Sequence, residues 1–338
     1  MKSTRSSCRR KPKQFIVAAA TVIVSVLVTL LTLEVCVRIF FPRYGIVQKI
    51  VIPNPRSDSR AYILKPGARI VFSGSRQRLD KPVVWQINAQ GIRSERLAPP
   101  RSEKFRIATF GDSETFGWSV PLDFTFQRRM EKIDDNVEVL NLGIPGYNVE
   151  NSADHMEEML PRLKADFVFY HFNGNDTDPP LTFSPTLSKS QLYIFYRKSQ
   201  ATLLRTLFPK DSRRKDSPES FAYLANQIDR MIEICRRDNA PLLIGFVGWK
   251  FQKFLQSSRQ LDCTRSLEST ACSDSHEPGF SIVSINPEQG WKWRSLPTLD
   301  HHMSQVAHQK TAKTICREIS VGRENSCVPP YRRSAQGN

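Results

Sequence analysis

The sequence predicts an α/β protein with a mainly parallel sheet, carried behind a single membrane-spanning helix. Three observations predict it. Short apolar runs recur along the chain: FRIATF (105–110), VEVLNL (137–142), DFVFYHF (166–172) and PLLIGFVG (241–248). Stretches with apolar residues at helical spacing separate them, and strands alternating with helices build βαβ units. Ahead of them stands one uncharged run long enough to cross a bilayer. With 338 residues, 40% of them hydrophobic, the chain can bury one large core or two small ones, which excludes wholesale disorder. The 22 Pro and 15 Gly show no period, which excludes solenoids, propellers and collagen-like arrays. Seven Cys at irregular spacing fit neither a zinc module nor a small disulfide scaffold.

Residues 1–13 carry Lys2, Arg5, Arg9, Arg10, Lys11 and Lys13 and no acid, and Phe15 to Leu33 contain no charge. At about 1.5 Å per residue that run nearly spans a hydrocarbon core of roughly 30 Å, and Val35, Cys36 and Val37 extend it. A cleaved signal peptide would show a shorter apolar stretch and a small-residue cleavage site. Here Glu34, Arg38 and the bulky IFFPRY follow, so the segment 14–41 is read as an uncleaved signal anchor. The positive-inside rule keeps the basic tail 1–13 in the cytoplasm and exports the rest. Setting those six basic residues aside lowers the net charge from +16 to +10. Lys210, Arg213, Arg214 and Lys215, like Arg332 and Arg333, read as solvated faces. No nucleic-acid partner is expected, because the exported side offers little of it and no binding motif occurs. Anionic glycans or lipid headgroups fit the charge better.

Residues 42–100, rich in Pro, Arg and Ser, read as a stalk with a few small strands. The main domain, 101–322, opens with FRIATF, followed by helical patterns at 123–133 and 149–163. After a polar insertion, Ser217-Pro218 starts a helix with Phe221, Leu224, Ile228, Met231, Ile232 and Cys235 on one face, and PLLIGFVG follows it. An insertion at about 249–290 is irregular, a last helix runs from about Gln305 to Ile319, and 323–338 form a tail.

Ligands of an open parallel sheet bind beyond the carboxyl ends of its strands, so the strand-end loops are where chemistry belongs. GDSETFGW (111–118) follows the first strand; Gly111 lets the chain turn sharply and leaves Ser113 exposed as a nucleophile. The bland reading is a turn whose Asp and Ser cap a helix, and such a tripeptide arises by chance in roughly one chain in ten. After the second strand Gly146 offers an unhindered N–H, or merely a Pro-Gly turn. After the third Asn175 offers a side-chain N–H, or merely an Asx-turn. With the Ser113 N–H they would make an oxyanion hole. Before the last helix, Asp300 and His302 could supply an acid and a base, with His301 the rival base one residue away. Paired histidines could instead bind metal or decorate a helix start with Ser304 as N-cap; third and fourth metal ligands are not evident, although His308 keeps the metal reading open.

The order Ser, Gly, Asn, Asp/His at four successive strand-end positions resembles the SGNH hydrolases, the GDSL-like esterase superfamily, and specifically its membrane-anchored bacterial members. The blocks match at Gly111–Ser113, Gly146, Asn175-Asp176 and Asp300/His302, and WQINAQGIRSE (85–95) resembles the lead-in of anchored members. The resemblance covers about 85–320. It implies a flavodoxin-like three-layer α/β/α sandwich and a Ser-His-Asp site with no metal and no cofactor. Ser113 would be the nucleophile, His302 the base, Asp300 its orienting acid, and Ser113, Gly146 and Asn175 the oxyanion hole. Asn173 stands where the third block usually has Gly, Asp300 lies two rather than three residues before His302, and Ala307 replaces a common glycine. The implied activity is hydrolysis of O-acyl esters, with acetyl groups of an envelope polysaccharide as the expected substrate. An O-acetyltransferase with the same site, or a non-catalytic glycan-binding or assembly protein, are the alternatives. Export would also allow disulfides Cys263–Cys272 and Cys316–Cys327, with Cys235 a buried thiol.

Overall fold

A computed structural model describes residues 12–40, 46–72, 83–100, 103–177, 190–207, 218–246, 280–284, 294–296, 300–322 and 325–329. The chain forms two compact units, Met1–Gln48 with Ser184–Leu207, and Lys49–Phe183 with Phe208–Asn338.

In the first unit, α1 (Pro12–Phe40) carries only Glu34 and Arg38 as charges between Phe15 and Phe40 and exposes its apolar side chains along nearly its whole length. Its 26 apolar-segment residues reach about 39 Å, enough to cross a membrane by length and composition. Thr21, Thr29 and Thr32 each donate their hydroxyl to the carbonyl four residues earlier, which satisfies these polar groups inside the helix. A second helix, α6 (Gln191–Leu207), lies in the stretch expected as a polar insertion. Its apolar residues are interleaved with Arg, Lys, Gln and Ser, so no clean stripe marks it in the sequence. Its start is set from far away: the Glu34 carboxylate accepts from the N–H groups of Gln191 (3.1 Å) and Leu192 (2.9 Å) and from Ser190 Oγ (2.7 Å). Those are donors that a first helical turn otherwise leaves unpaired.

The second unit begins with two small antiparallel ribbons, β1 (Val51–Pro53) with β2 (Tyr62–Leu64), and β3 (Arg69–Phe72) with β4 (Val83–Gln86). The single turn α2 (Ile46–Ile50) precedes them. These small strands lie in the stretch expected as a stalk, and from Lys49 onward it belongs to the sheet-bearing unit. Trp85, Ile87 and Ile92 are completely buried there, because the apolar residues of WQINAQGI need cover that a free stalk would not provide.

Five parallel strands make the sheet, in the order β6 (Val137–Asn141), β5 (Phe105–Gly111), β7 (Phe167–Phe172), β8 (Leu242–Phe246), β9 (Phe280–Ser284). That is the 2-1-3-4-5 order of doubly wound flavodoxin-like folds. Strands β5 and β7 are buried at every residue, as strands covered on both faces must be. Alternate side chains separate two cores. Ala108, Phe110, Val168 and Tyr170 pack against α5 (Val149–Leu163) and α7 (Pro218–Arg237). Ile107, Val139, Phe169 and Leu243 pack with α4 (Phe126–Ile133) and α8 (Gln305–Ile319). The result is the three-layer α/β/α sandwich.

The helix expected over 149–163 spans those residues. The one expected over 123–133 begins at Phe126, after a 3₁₀ turn at Leu122–Phe124, because Thr125 caps it by accepting from Arg128 N–H. Strand β9 corrects the irregular reading of 249–290: its five residues are too short a signal to stand out beside a Ser- and Cys-rich stretch. Cys263 and Cys272 lie outside the described residues, as do the basic clusters at 210–215 and 332–333. Cys235 is buried, which pushes its thiol up to about 12.

Cys316 and Cys327 are joined in a disulfide that fastens residues 325–329 to α8. Asp134, at the end of α4, reinforces the join by accepting from Cys327 N–H (2.9 Å) and Ser326 Oγ (3.1 Å). Burial alone would raise the Asp134 carboxyl, but these bonds, with those from Asn136, outweigh it and hold it below the usual carboxylate range. The contribution is therefore present above the unfolded value near 3.9 and is lost as pH falls through the folded one. Replacing both cysteines by serine should lower the unfolding free energy by about 3 kcal/mol, from loop closure, without changing the circular dichroism spectrum. An unchanged denaturation midpoint would show that the bond restrains nothing.

Candidate active site

The site starts where β5 ends. Gly111 has φ +147°, and a Cβ there would stand 2.3 Å from Thr115 Oγ1 and 2.9 Å from the His171 carbonyl. Only glycine lets the chain leave the sheet this sharply between its two neighbours. Asp112 then caps the single turn α3 (Ser113–Phe116) by accepting from Glu114 N–H at 2.8 Å. Ser113 is the first residue of that turn and remains partly exposed at the sheet rim.

His302 Nε2 lies 2.8 Å from Ser113 Oγ, across 189 residues of sequence. It sits on β11 (Asp300–Met303), which pairs with β10 (Arg294–Leu296) and leads through Ser304 into α8. Ser304 is the N-cap, accepting from Ala307 N–H. Trp118 stacks on the His302 ring at 5.6 Å between centroids and 22° between planes. Met303 N–H donates to Glu114 Oε2 at 2.7 Å. Asp300 lies two residues before His302 on the same strand; the side chains of Asp300 and His301 lie outside those described.

The loop after β6 folds back on this turn, Ile144 N–H donating to the Gly111 carbonyl. Gly146 has φ +86° and lies under the Tyr62 hydroxyl, 2.6 Å from where a Cβ would be. Tyr62 donates to the Pro145 carbonyl, which seals that side of the loop. After β7, Asp176 accepts from Tyr170 OH and Asn173 N–H and closes a tight turn. Asn175 Nδ2 donates to the Tyr147 carbonyl at 3.0 Å, so it is fastened to the residue after Gly146. Asn173 Nδ2 donates to Asp112 Oδ2 at 3.1 Å. The residue standing where a glycine is usual thus ties the third loop to the serine turn.

Asp112 is fully buried, and burial raises its pKa against the bonds from Glu114, Asn173 and Asn175 and the nearby His302. Among the described residues no group of three or more His, Cys, Asp or Glu is gathered to hold a metal. His308 is buried in the α4/α8 layer, where its Nδ1 accepts from Phe126 N–H and burial holds the ring well below its ordinary pKa. Ser113 and His302 are thus in hydrogen-bond contact, and Gly146 and Asn175 are joined through Tyr147. Glu114, Trp118, Tyr62 and Asn173 were not singled out as site residues from the sequence. Their spacing gives no sign of these partners; the only local signal for Glu114 is a charge beside a candidate nucleophile.

No protein-family model matches the chain, and no curated protein matches it. Among solved structures it is similar to the lipase Lip_vut3 from a goat rumen metagenome, at 13% identity over 64% of this chain and 97% of that one, with a TM-score of 0.41. It is similar to a member of the lipolytic protein G-D-S-L family from Veillonella parvula DSM 2008, at 14% identity over 61% and 93% (TM-score 0.36). It is also similar to AlinE4, an SGNH-hydrolase family esterase, at 15% identity over 43% and 60% (TM-score 0.29).

The tight packing around Gly111 makes a clear expectation. Gly111→Ala should destabilise the sheet-bearing unit by about 3 kcal/mol or more, since backbone on β7 must move to admit the methyl group. A thermal midpoint within a degree of the parent would refute the crowding.

Proposed function

We propose that this chain is a membrane-tethered serine esterase of the SGNH hydrolase type that removes O-acyl groups on the exported side. The observation that carries this is the 2.8 Å contact between Ser113 Oγ and His302 Nε2. Both groups lie beyond the carboxyl ends of parallel strands, next to the switch point between β5 and its two neighbours, where such sheets bind ligands. His302 takes the hydroxyl proton as Ser113 Oγ attacks the acyl carbonyl. The resulting oxyanion is held by the N–H groups of Ser113 and Gly146 and the Asn175 amide. Asp300 orients the imidazole and stabilises its cation. His302 then protonates the departing alkoxide, and water, deprotonated by the same imidazole, releases the acid from the acyl-enzyme.

The exported placement of the catalytic unit is supported by the basic tail ahead of an apolar helix and by the Cys316–Cys327 disulfide, a bond of oxidising compartments. The chain beyond the basic tail keeps a net charge of +10, which favours an anionic substrate surface, and acetyl esters of an envelope polysaccharide fit it.

Ser113→Ala should remove nearly all hydrolysis of p-nitrophenyl acetate by the detergent-solubilised protein, and unchanged hydrolysis would sink the assignment. Asn175→Ala should lower kcat by roughly 10² to 10³, because one oxyanion donor goes while the nucleophile stays. His302→Ala should be far more damaging than His301→Ala, and the reverse ranking would move the base by one residue. A periplasmic reporter fused after about residue 60 should be active, and a cytoplasmic reporter at that junction silent. The opposite pattern would overturn the orientation.

A further inference from the structure

Strand β11 lies outside the five-stranded sheet, and among the described residues its strand partner is β10 alone. Sheet pairing therefore does not tie His302 to the end of β5, although the imidazole and the Ser113 hydroxyl must stay in register to within a fraction of an ångström. The proposal rests on the reading of Ser113 and His302 as nucleophile and base. We propose that Glu114 and Trp118 are positioning residues that hold the His302 ring against Ser113 from two sides.

Glu114 acts through the backbone. Ser113 and Glu114 are consecutive, as are His302 and Met303. Two hydrogen bonds join the pairs: Ser113 Oγ to His302 Nε2 at 2.8 Å, and Met303 N–H to Glu114 Oε2 at 2.7 Å. Two bonds between two short covalent segments form a closed bracket, which one bond alone, free to swivel, would not. Met303 is buried, so its N–H keeps this acceptor largely free of competing water, and a charge-assisted bond is the stronger kind.

Trp118 acts on the ring itself, stacked over it at 22°. The indole is itself braced. Its ring lies 4.4 Å from that of Trp85, and the backbone carbonyl of Trp118 accepts from Trp85 Nε1 at 3.2 Å. The turn that carries it is pinned by the buried guanidinium of Arg93, which donates to the carbonyls of Phe116, Gly117 (2.6 Å) and Val120 (2.8 Å). The segment WQINAQGIRSE thereby acquires a role: Trp85 and Arg93, from its two ends, hold the stacking partner of the base.

The experiment compares full-length variants in detergent after titrating active sites with a fluorophosphonate, so that kcat refers to sites that carry a reactive Ser113. Glu114→Leu keeps the size of the side chain and removes the acceptor; it should lower kcat per titrated site by roughly ten- to a hundredfold with KM within about twofold, as expected when reacting groups drift by about 1 Å. Glu114→Gln retains a carbonyl acceptor and should restore kcat to within about threefold. Trp118→Ala should fall as Glu114→Leu does, and Trp118→Phe should recover most of the loss. If Glu114→Leu does not fold, Glu114→Ala takes its place with the same expected loss, compared again with the Gln variant. A merely structural role would reduce the titratable fraction while leaving kcat per site unchanged, and that result would overturn the proposal. So would a Gln variant as slow as the Leu variant. Failure of the parent protein to label at Ser113 would overturn the site reading and the bracket with it. Labelling of the parent with no change in the variants would overturn the bracket alone.

Discussion

Everything at the sheet rim depends on how tightly the single turn after β5 is wedged between its neighbours. Strand β5 is flanked by β6 on one side and β7 on the other, so the turn leaving it meets loops from both. Gly111 is the pivot: a methyl group would enter the Thr115 hydroxyl and the β7 backbone. The loop after β6 bonds to the Gly111 carbonyl, and the loop after β7 reaches Asp112 through Asn173. A parallel sheet makes this convergence possible, because all its strands end at one edge and the reversal of order opens a cleft there.

Several of the basic residues that give the chain its positive charge are structural and do not face solvent. Arg93 is buried with no carboxylate partner among the described residues, and burial pulls its pKa down to about 9, so it remains a cation at neutral pH that carbonyls must satisfy. Arg106 is held by Glu138, by the carbonyls of Leu163 and Pro99, and so joins the start of β5 to the end of α5. Arg60 is paired with Asp58 and Glu158, which ties the first ribbon to α5. Removing one partner of such a group leaves a buried charge, which costs more than the pair contributes. These arginines therefore bind the residues before β5 into the unit that carries Ser113. The positive charge left at the surface is correspondingly smaller than the composition suggests.

The first unit follows the same logic with the signs reversed. Glu34 ends an uncharged stretch, and its carboxylate is occupied by the first-turn donors of α6 and by Arg38. An acid at the N-terminus of a helix also meets the positive end of the helix dipole. One charge in the last two turns of α1 thus caps the start of a second helix more than 150 residues later in the chain, in a stretch without a helical stripe of its own.

The sequence by itself determined what depends on local period and composition. The apolar runs became β5 to β8, Val149–Leu163 became a helix with the bounds its pattern has, and the uncharged stretch became α1. Ser113 and His302, the pair proposed as nucleophile and base, were legible because such groups are sought at strand ends, whatever the rest of the chain does. Tertiary structure alone decided the remainder. Strand β9 exists because β8 offers an open edge, and α6 starts where Glu34 supplies acceptors. Asn173 reads as a departure from pattern until Asp112 is beside it, and Glu114 as a surface charge until Met303 N–H is 2.7 Å away. The physical reason is common to all four. A hydrogen bond depends on position to within a few tenths of an ångström, and spacing in sequence carries no such information once the partners are tens or hundreds of residues apart.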